Sequence, residues 1–273
     1  MTNNANQKPA AILPTQGAAA VRLRRGVTLV LFAIIWCGGC LFFLDGMART
    51  GLTSGKWLMF ALYVVLWGQL SFGFSQALLG FVVRMLGRDG TRISKCLLPD
   101  EPLETASLKG RCALLFPIYN EEPQRFFAGV KVLYRALKDA GQLEHFDFFV
   151  LSDSNDSNTW VEEEIAWMET VRDLGAAGKL FYRKRVSNIN QKSGNVSDFC
   201  RRWGNDFDYM ICFDADSLMS ANAVVRLVRM MEENSRAGII QTMPALFNGQ
   251  SFFARLQQFA NRVHGGISGA GLH

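Results

Sequence analysis

Two carboxylates, Asp214 and Asp216, follow directly on the apolar run Tyr209-Met210-Ile211-Cys212-Phe213. At the end of a strand, a pair with this spacing can share one hard cation, Mg²⁺ or Mn²⁺. Such an ion keeps several waters and takes diphosphate oxygens as further ligands. It would neutralise the charge that grows on a departing nucleoside diphosphate. A structural turn or a helix cap is the plainer use of the same residues, and the position at a strand end weighs against it.

Three other segments carry chemistry of a compatible kind. Pro117-Ile118-Tyr119-Asn120-Glu121-Glu122 offers an aromatic ring and a carboxylate that can stack on and hydrogen-bond to a planar base. A simple turn into a helix would look the same. Ser152-Asp153-Ser154-Asn155-Asp156-Ser157 puts Asp153 where it can accept from ribose hydroxyls or a base N–H. A solvated Asx-rich turn is the alternative. Arg183-Lys184-Arg185 and then Asn190-Gln191-Lys192-Ser193-Gly194-Asn195 form a basic stretch. There a helix opening at Gly194, together with Lys192, favours phosphate charge; a solvated basic loop is the other reading. A diphosphate needs cationic neutralisation and an Asp pair needs a metal, so the basic and acidic segments make sense together.

The elements that must position these residues alternate in type. Strands are expected at Cys112 to Phe116, Phe146 to Leu151, Leu180 to Arg183, Tyr209 to Phe213 and Gly238 to Thr242. Helices are expected over Pro123 to Ala140, from a capping box at Thr159 and Glu162 to Leu174, and over Gly194 to Trp203, Asn222 to Glu233 and Ser251 to Val263. Gly141 and Gly175 stop the first two helices. Alternation of this kind implies an α/β domain with a mainly parallel sheet covered by helices. In such sheets ligands sit beyond the carboxyl ends of the strands, where all four segments fall.

The first third is different. Val27 to Leu44 and Trp57 to Val83 carry no charge; the first can just span a hydrocarbon core of about 30 Å, and the second can span it with tilt or include an interfacial portion. A signal peptide and a buried core helix are the competing readings. Lys8, Arg22, Arg24 and Arg25 precede the pair, and Arg84, Arg88, Arg92 and Lys95 follow it. The connection holds only Arg49 and Lys56, so both outer ends are expected in the cytoplasm. The net charge of +5 is thereby explained by membrane flanks, and no nucleic-acid motif accompanies it. Of six cysteines, Cys37 and Cys40 lie in the first apolar run, and Cys112 and Cys212 fall in expected core strands. Nothing suggests a disulfide framework. The organisation expected is a disordered tail over 1–25, two transmembrane helices over 26–84, a linker over 85–110 and the α/β domain over 111–273.

The pieces P-I-Y-N-E, F-V-L-S-D-S, Q-K-S-G-N and F-D-A-D-S, in this order and spacing, resemble family 2 glycosyltransferases of the GT-A fold. That family includes cellulose, chitin and hyaluronan synthases. A-L-L-F-P-I-Y-N-E-E-P, F-D-F-F-V-L-S-D-S-N-D and I-I-Q-T-M-P-A-L-F-N-G-Q carry a narrower likeness to glucosyltransferases of osmoregulated periplasmic glucan synthesis. The resemblance covers about Arg111 to Gly265. It implies a Rossmann-like GT-A sheet behind two transmembrane helices, in a multi-pass protein of the bacterial inner membrane with a cytoplasmic catalytic domain. It implies UDP-glucose as donor, a growing glucan as acceptor, a lipid bilayer as setting and acyl carrier protein as a partner. By the same resemblance Tyr119, Glu121 and Asp153 would contact the nucleoside and Lys192 would lie near the diphosphate. Asp214 and Asp216 would bind diphosphate and Mg²⁺, and transfer would invert the anomeric centre. The family's later Asp base and its Q-x-x-R-W do not appear. The base is therefore expected beyond His273, in a longer protein, and this piece is expected to bind donor without transfer activity of its own. His264 and His273 are poor substitutes. A polyprenyl-phosphate sugar transferase and a donor-binding subunit remain the alternatives.

Overall fold

The computed structural model describes residues 18–51, 53–86, 107–235, 237–242 and 244–272. The expected tail and most of the expected linker lie outside them, as do the side chains of His264 and His273. The described residues form two compact units, 107–240 and 18–86 with 241–272.

The first unit is an α/β sandwich. Its strands are β1 (Cys112–Ile118), β2 (Phe146–Ser152), β3 (Leu180–Lys184) and β4 (Tyr209–Cys212), and all pairings are parallel in the order β3-β2-β1-β4. Every residue of β1 and β2 is buried, which is why they read as unbroken apolar runs. Helices α3 (Pro123–Asp139), α4 (Ser157–Leu174) and α6 (Ala221–Glu233) share one core with the sheet, built on Leu114, Phe116, Phe148 and Val150. Helix α5 (Gln191–Trp203) covers the opposite face through Phe199, which packs with Ala113, Leu115, Phe149 and Leu151. The chain steps outward from β1 to β3 and then crosses back to β4, so right-handed crossovers require α5 on the far face. The chain therefore reverses its winding between β1 and β4.

Proline at 117 does not end β1, as the sequence suggested; the strand runs on to Ile118. Phe213 N donates to Leu115 O and Asp153 N donates to Ile118 O. Odd positions of β1 therefore face β4 and even ones face β2. β4 pairs only as far as Leu115, so the missing N–H of Pro117 falls on an open side and costs no ladder bond.

Other boundaries also moved. Asp156, not Thr159, caps α4: its carboxylate accepts from the backbone N–H of Asn158 and Thr159. No strand forms over 238–242, where Ile239 is largely exposed. Its local apolar pattern finds no ladder partner, and a strand needs one. β4 is thus the edge of the described sheet, with Met210 and Cys212 exposed, so Cys212 is not in the core. Cys112 is, and burial pushes its thiol up to about 12.

The second unit holds α1 (Ala18–Arg49), α2 (Ser54–Met85) and α7 (Phe252–Leu272). α7 was expected to end near Val263, and it continues through Gly265 and Gly266. α1 and α2 are long and apolar enough to cross a membrane, and only 6% and 11% of their most apolar stretches are buried. That exposure separates them from the core helices of a soluble protein. They clasp each other reciprocally. Trp36 Nε1 donates to Val64 O at 3.0 Å, and Trp67 Nε1 donates to Ile35 O at 3.1 Å. Each indole lies against a glycine of the other helix, Trp67 on Gly39 and Trp36 on Gly68.

Candidate functional site

A cleft of about 560 Å³ opens beyond the carboxyl ends of the strands, at the point where the winding reverses. Tyr119, Glu121, Asp153, Lys192, Asp214 and Asp216 all line it, with Pro117, Asn188, Gln191 and Asn195 among their neighbours. The six residues that the resemblance marked for nucleoside, diphosphate and metal therefore reach one cavity.

The β1–α3 loop turns through Asn120, which takes a left-handed φ of 52°. Asparagine tolerates that region better than most residues. Its backbone N–H donates to Ser154 Oγ at 2.8 Å and its Nδ2 to Asn155 Oδ1 at 2.8 Å, so the first two loops are bonded to each other. Tyr119 keeps 48% of its surface exposed, an open ring at the mouth of the cleft.

Asp153 is nearly buried, and its two oxygens accept from Arg185: Nε to Oδ1 at 2.8 Å and Nη2 to Oδ2 at 2.7 Å. Arg185 also donates from Nη1 to Ile189 O and from Nη2 to Gln191 O. One guanidinium thus joins the β2 loop to the segment leading into α5. Arg183 is likewise used internally. It bonds Asp198 Oδ2 at 2.8 Å and Asn195 Oδ1 at 2.5 Å, and Asn195 Nδ2 donates to Leu151 O at 2.8 Å. Burial lowers the Arg183 pKa, against the pull of Asp198 and Asp153. Burial pushes the Asp198 carboxyl up, but Arg202, Arg183 and Arg201 together hold it below the usual range. The sequence suggested a basic loop facing phosphate or solvent. Instead both arginines are internal ties, and Lys184 lies over the Trp160 ring at 3.7 Å. Of the basic residues in this segment, only Lys192 lines the cleft.

Lys192 Nζ is paired with Asp214 Oδ1. Helix α5 begins at Gln191, three residues before the expected start, after left-handed Asn190 (φ 59°), and no side chain caps it. Gly194 lies in its first turn because a Cβ there would overlap Ile189 O. Asp214 and Asp216 are both exposed on the turn after β4, where Ser217 N donates to Asp214 O. No group of three or more His, Cys, Asp or Glu residues suited to a metal occurs among the described residues. Two exposed carboxylates fit a hard cation that takes its remaining ligands from water and a bound phosphate, and they fit a closed all-protein site poorly.

Sequence reasoning named Arg185 only as part of a basic stretch, without its tie to Asp153, and missed Glu163. Arg185 follows directly on the end of β3, and no local pattern sets it apart from Lys184. Glu163 falls on the inward stripe of α4 with Ala166, Thr170 and Leu174, where a lone carboxylate is conspicuous.

No family model matches the chain. It is 48% identical over 222 residues to the glucans biosynthesis glucosyltransferase H of Pectobacterium atrosepticum, covering 81% of this chain and 25% of that protein. It is 46% identical over 213 residues to the protein of that name from Pseudomonas aeruginosa, covering 78% and 24%. With the Escherichia coli protein of that name it shares 44% over 212 residues, covering 78% and 25%. The chain spans about a quarter of the length of the curated relatives it matches. Across about four-fifths of its own length, this chain is homologous to the glucans biosynthesis glucosyltransferase H proteins.

Proposed function

We propose that this chain forms the donor-binding part of a membrane-bound inverting glucosyltransferase of the GT-A type, which draws glucose from UDP-glucose to build a β-glucan. The observation that carries the reading is the convergence of Tyr119, Glu121, Asp153, Lys192, Asp214 and Asp216 on one cleft at the winding reversal. Homology to proteins named glucosyltransferases of glucan synthesis supports the sugar class.

In this reading the nucleoside lies across the β1 and β2 loops. Tyr119 stacks on the base, while Glu121 and Asp153 accept from base or ribose donors. The diphosphate lies toward β4 and the uncapped start of α5, where backbone N–H groups and Lys192 favour its charge. Asp214 and Asp216 would hold Mg²⁺, which when bound supplies neutralisation of the leaving UDP. Lys192 stands between the two acidic species: it pairs with Asp214 in the free protein and turns to phosphate when the donor arrives. The basic flanks of α1 and α2 favour a multi-pass inner-membrane protein with this cleft in the cytoplasm. A growing glucan and acyl carrier protein are the further partners this reading implies.

The test is calorimetric titration of UDP into the detergent-solubilised chain with and without Mg²⁺. UDP binds, Mg²⁺ tightens it, and Asp216→Ala removes the Mg²⁺ effect while leaving metal-free binding near wild type. Binding that ignores both Mg²⁺ and Asp216 overturns the metal assignment; absence of UDP binding overturns the site.

A further inference from the structure

Glu163 is fully buried beneath the cleft, on the face of α4 that packs on the sheet. Its oxygens accept from three hydroxyls: Ser152 Oγ at 2.6 Å and Tyr182 OH at 2.9 Å on Oε2, and Ser154 Oγ at 2.5 Å on Oε1. Among the described residues it forms no ion pair. A carboxylate taken out of water is costly unless its lone pairs are filled, and here hydroxyls fill them.

The direction of these bonds shows what the carboxylate holds. Asn120 N donates to Ser154 Oγ, so the hydroxyl proton of Ser154 goes on to Glu163. Ser154 N donates to Ser152 Oγ, whose proton also goes to Glu163. Two relays thus run from backbone N–H through serine to a single acceptor. The first fixes Asn120, between Tyr119 and Glu121. The second fixes both neighbours of Asp153. A glutamine of the same shape offers one acceptor oxygen and turns an NH₂ toward a hydroxyl that is already committed as a donor.

We propose that Glu163 is a positioning residue that sets the spacing between the Tyr119–Glu121 loop and Asp153, and so the fit of the cleft to the nucleoside half of its ligand. This rests on the nucleotide reading of the cleft. The phosphate half, at Lys192, Asp214 and Asp216, takes no bond from the relays. The third hydroxyl, Tyr182, belongs to β3; it ties α4 to the sheet and meets Ser152 at the end of β2, and it bonds no residue of the Tyr119–Glu121 loop.

These differences give the experiment its contrast. UDP and, separately, pyrophosphate with Mg²⁺ are titrated into the full chain in detergent micelles. Glu163→Gln weakens UDP about tenfold, the equivalent of about 1.4 kcal/mol, and leaves pyrophosphate within about twofold. Ser154→Ala, a milder change, gives the same pattern with a loss of about threefold to fivefold, and it carries the test if Glu163→Gln is recovered unfolded. Tyr182→Phe lowers stability and leaves UDP affinity within about twofold. Unchanged UDP affinity in Glu163→Gln and Ser154→Ala overturns the inference alone, as does equal weakening of both ligands, which would mark a purely structural role. A wild-type chain that binds pyrophosphate but not UDP overturns the nucleotide reading, and the inference with it.

Discussion

Removing Arg185 should damage this protein more than any single contact in the cleft suggests. Asp153 has a side chain only 6% exposed, and Arg185 supplies a donor to each of its two oxygens. Arg185→Ala leaves a buried carboxylate without its counter-charge, a loss of about 3–5 kcal/mol. Asp153→Ala is milder. Arg185 keeps the Ile189 and Gln191 carbonyls as acceptors, so the cost is about 1.5–3 kcal/mol, the range for a hydrogen bond to a charged group. If the two were independent, the double variant would lose their sum. With both charges gone neither is orphaned, so the double variant should lose little more than Arg185→Ala alone. The coupling is then about 2 kcal/mol, well above the scatter of about 0.5 kcal/mol seen for independent sites. Urea unfolding of the full chain in micelles, followed by the fluorescence of Trp160, Trp167 and Trp203, measures all four corners of the cycle. Additive losses would refute the ion pair as the tie between the β2 loop and the start of α5.

Three further outcomes are expected. Gly194→Ala should gain about 1 kcal/mol of helix propensity, yet the added Cβ overlaps the Ile189 carbonyl, a clash worth about 1–3 kcal/mol; a lowered urea midpoint with weakened UDP binding is expected, and a raised midpoint would contradict it. Asp198 has a carboxyl pKa held below its ordinary 3.8, so its contribution is complete above that pH and is lost as pH falls through the lowered folded value. Asp198→Asn should therefore flatten the decline of the urea midpoint as pH falls below about 4. Gly39→Ala drives a Cβ into the Trp67 indole, so it should lower thermal stability in micelles, and Trp67→Leu in the same chain should recover part of the loss.

The alternation of β1 to β4 with α3 to α6 was legible because each buried strand is a short apolar run and each helix carries one apolar stripe. The cleft was legible for the same reason: once strand ends are located, the parallel topology dictates which loops converge. What stayed hidden depends on pairing. Nothing local distinguishes Arg185 from Lys184, and the partner that defines its role is 32 residues away at Asp153. Pro117 argued for a strand end because its cost depends on which side of β1 is occupied, and sequence does not state that. The Thr159–Glu162 motif matched a capping box, but Asp156 begins the helix one turn earlier, and the first competent cap wins. Ile239 and Ile240 have β propensity without a ladder to join.

The Trp36–Gly68 and Trp67–Gly39 contacts set one alignment for the two long helices. Sliding one helix past the other by a single turn, about 5.4 Å, would pull both indoles from their carbonyls at once and press both rings against bulkier side chains. The hairpin therefore has a lock at two points with one shared key position, and a half-slipped state satisfies neither.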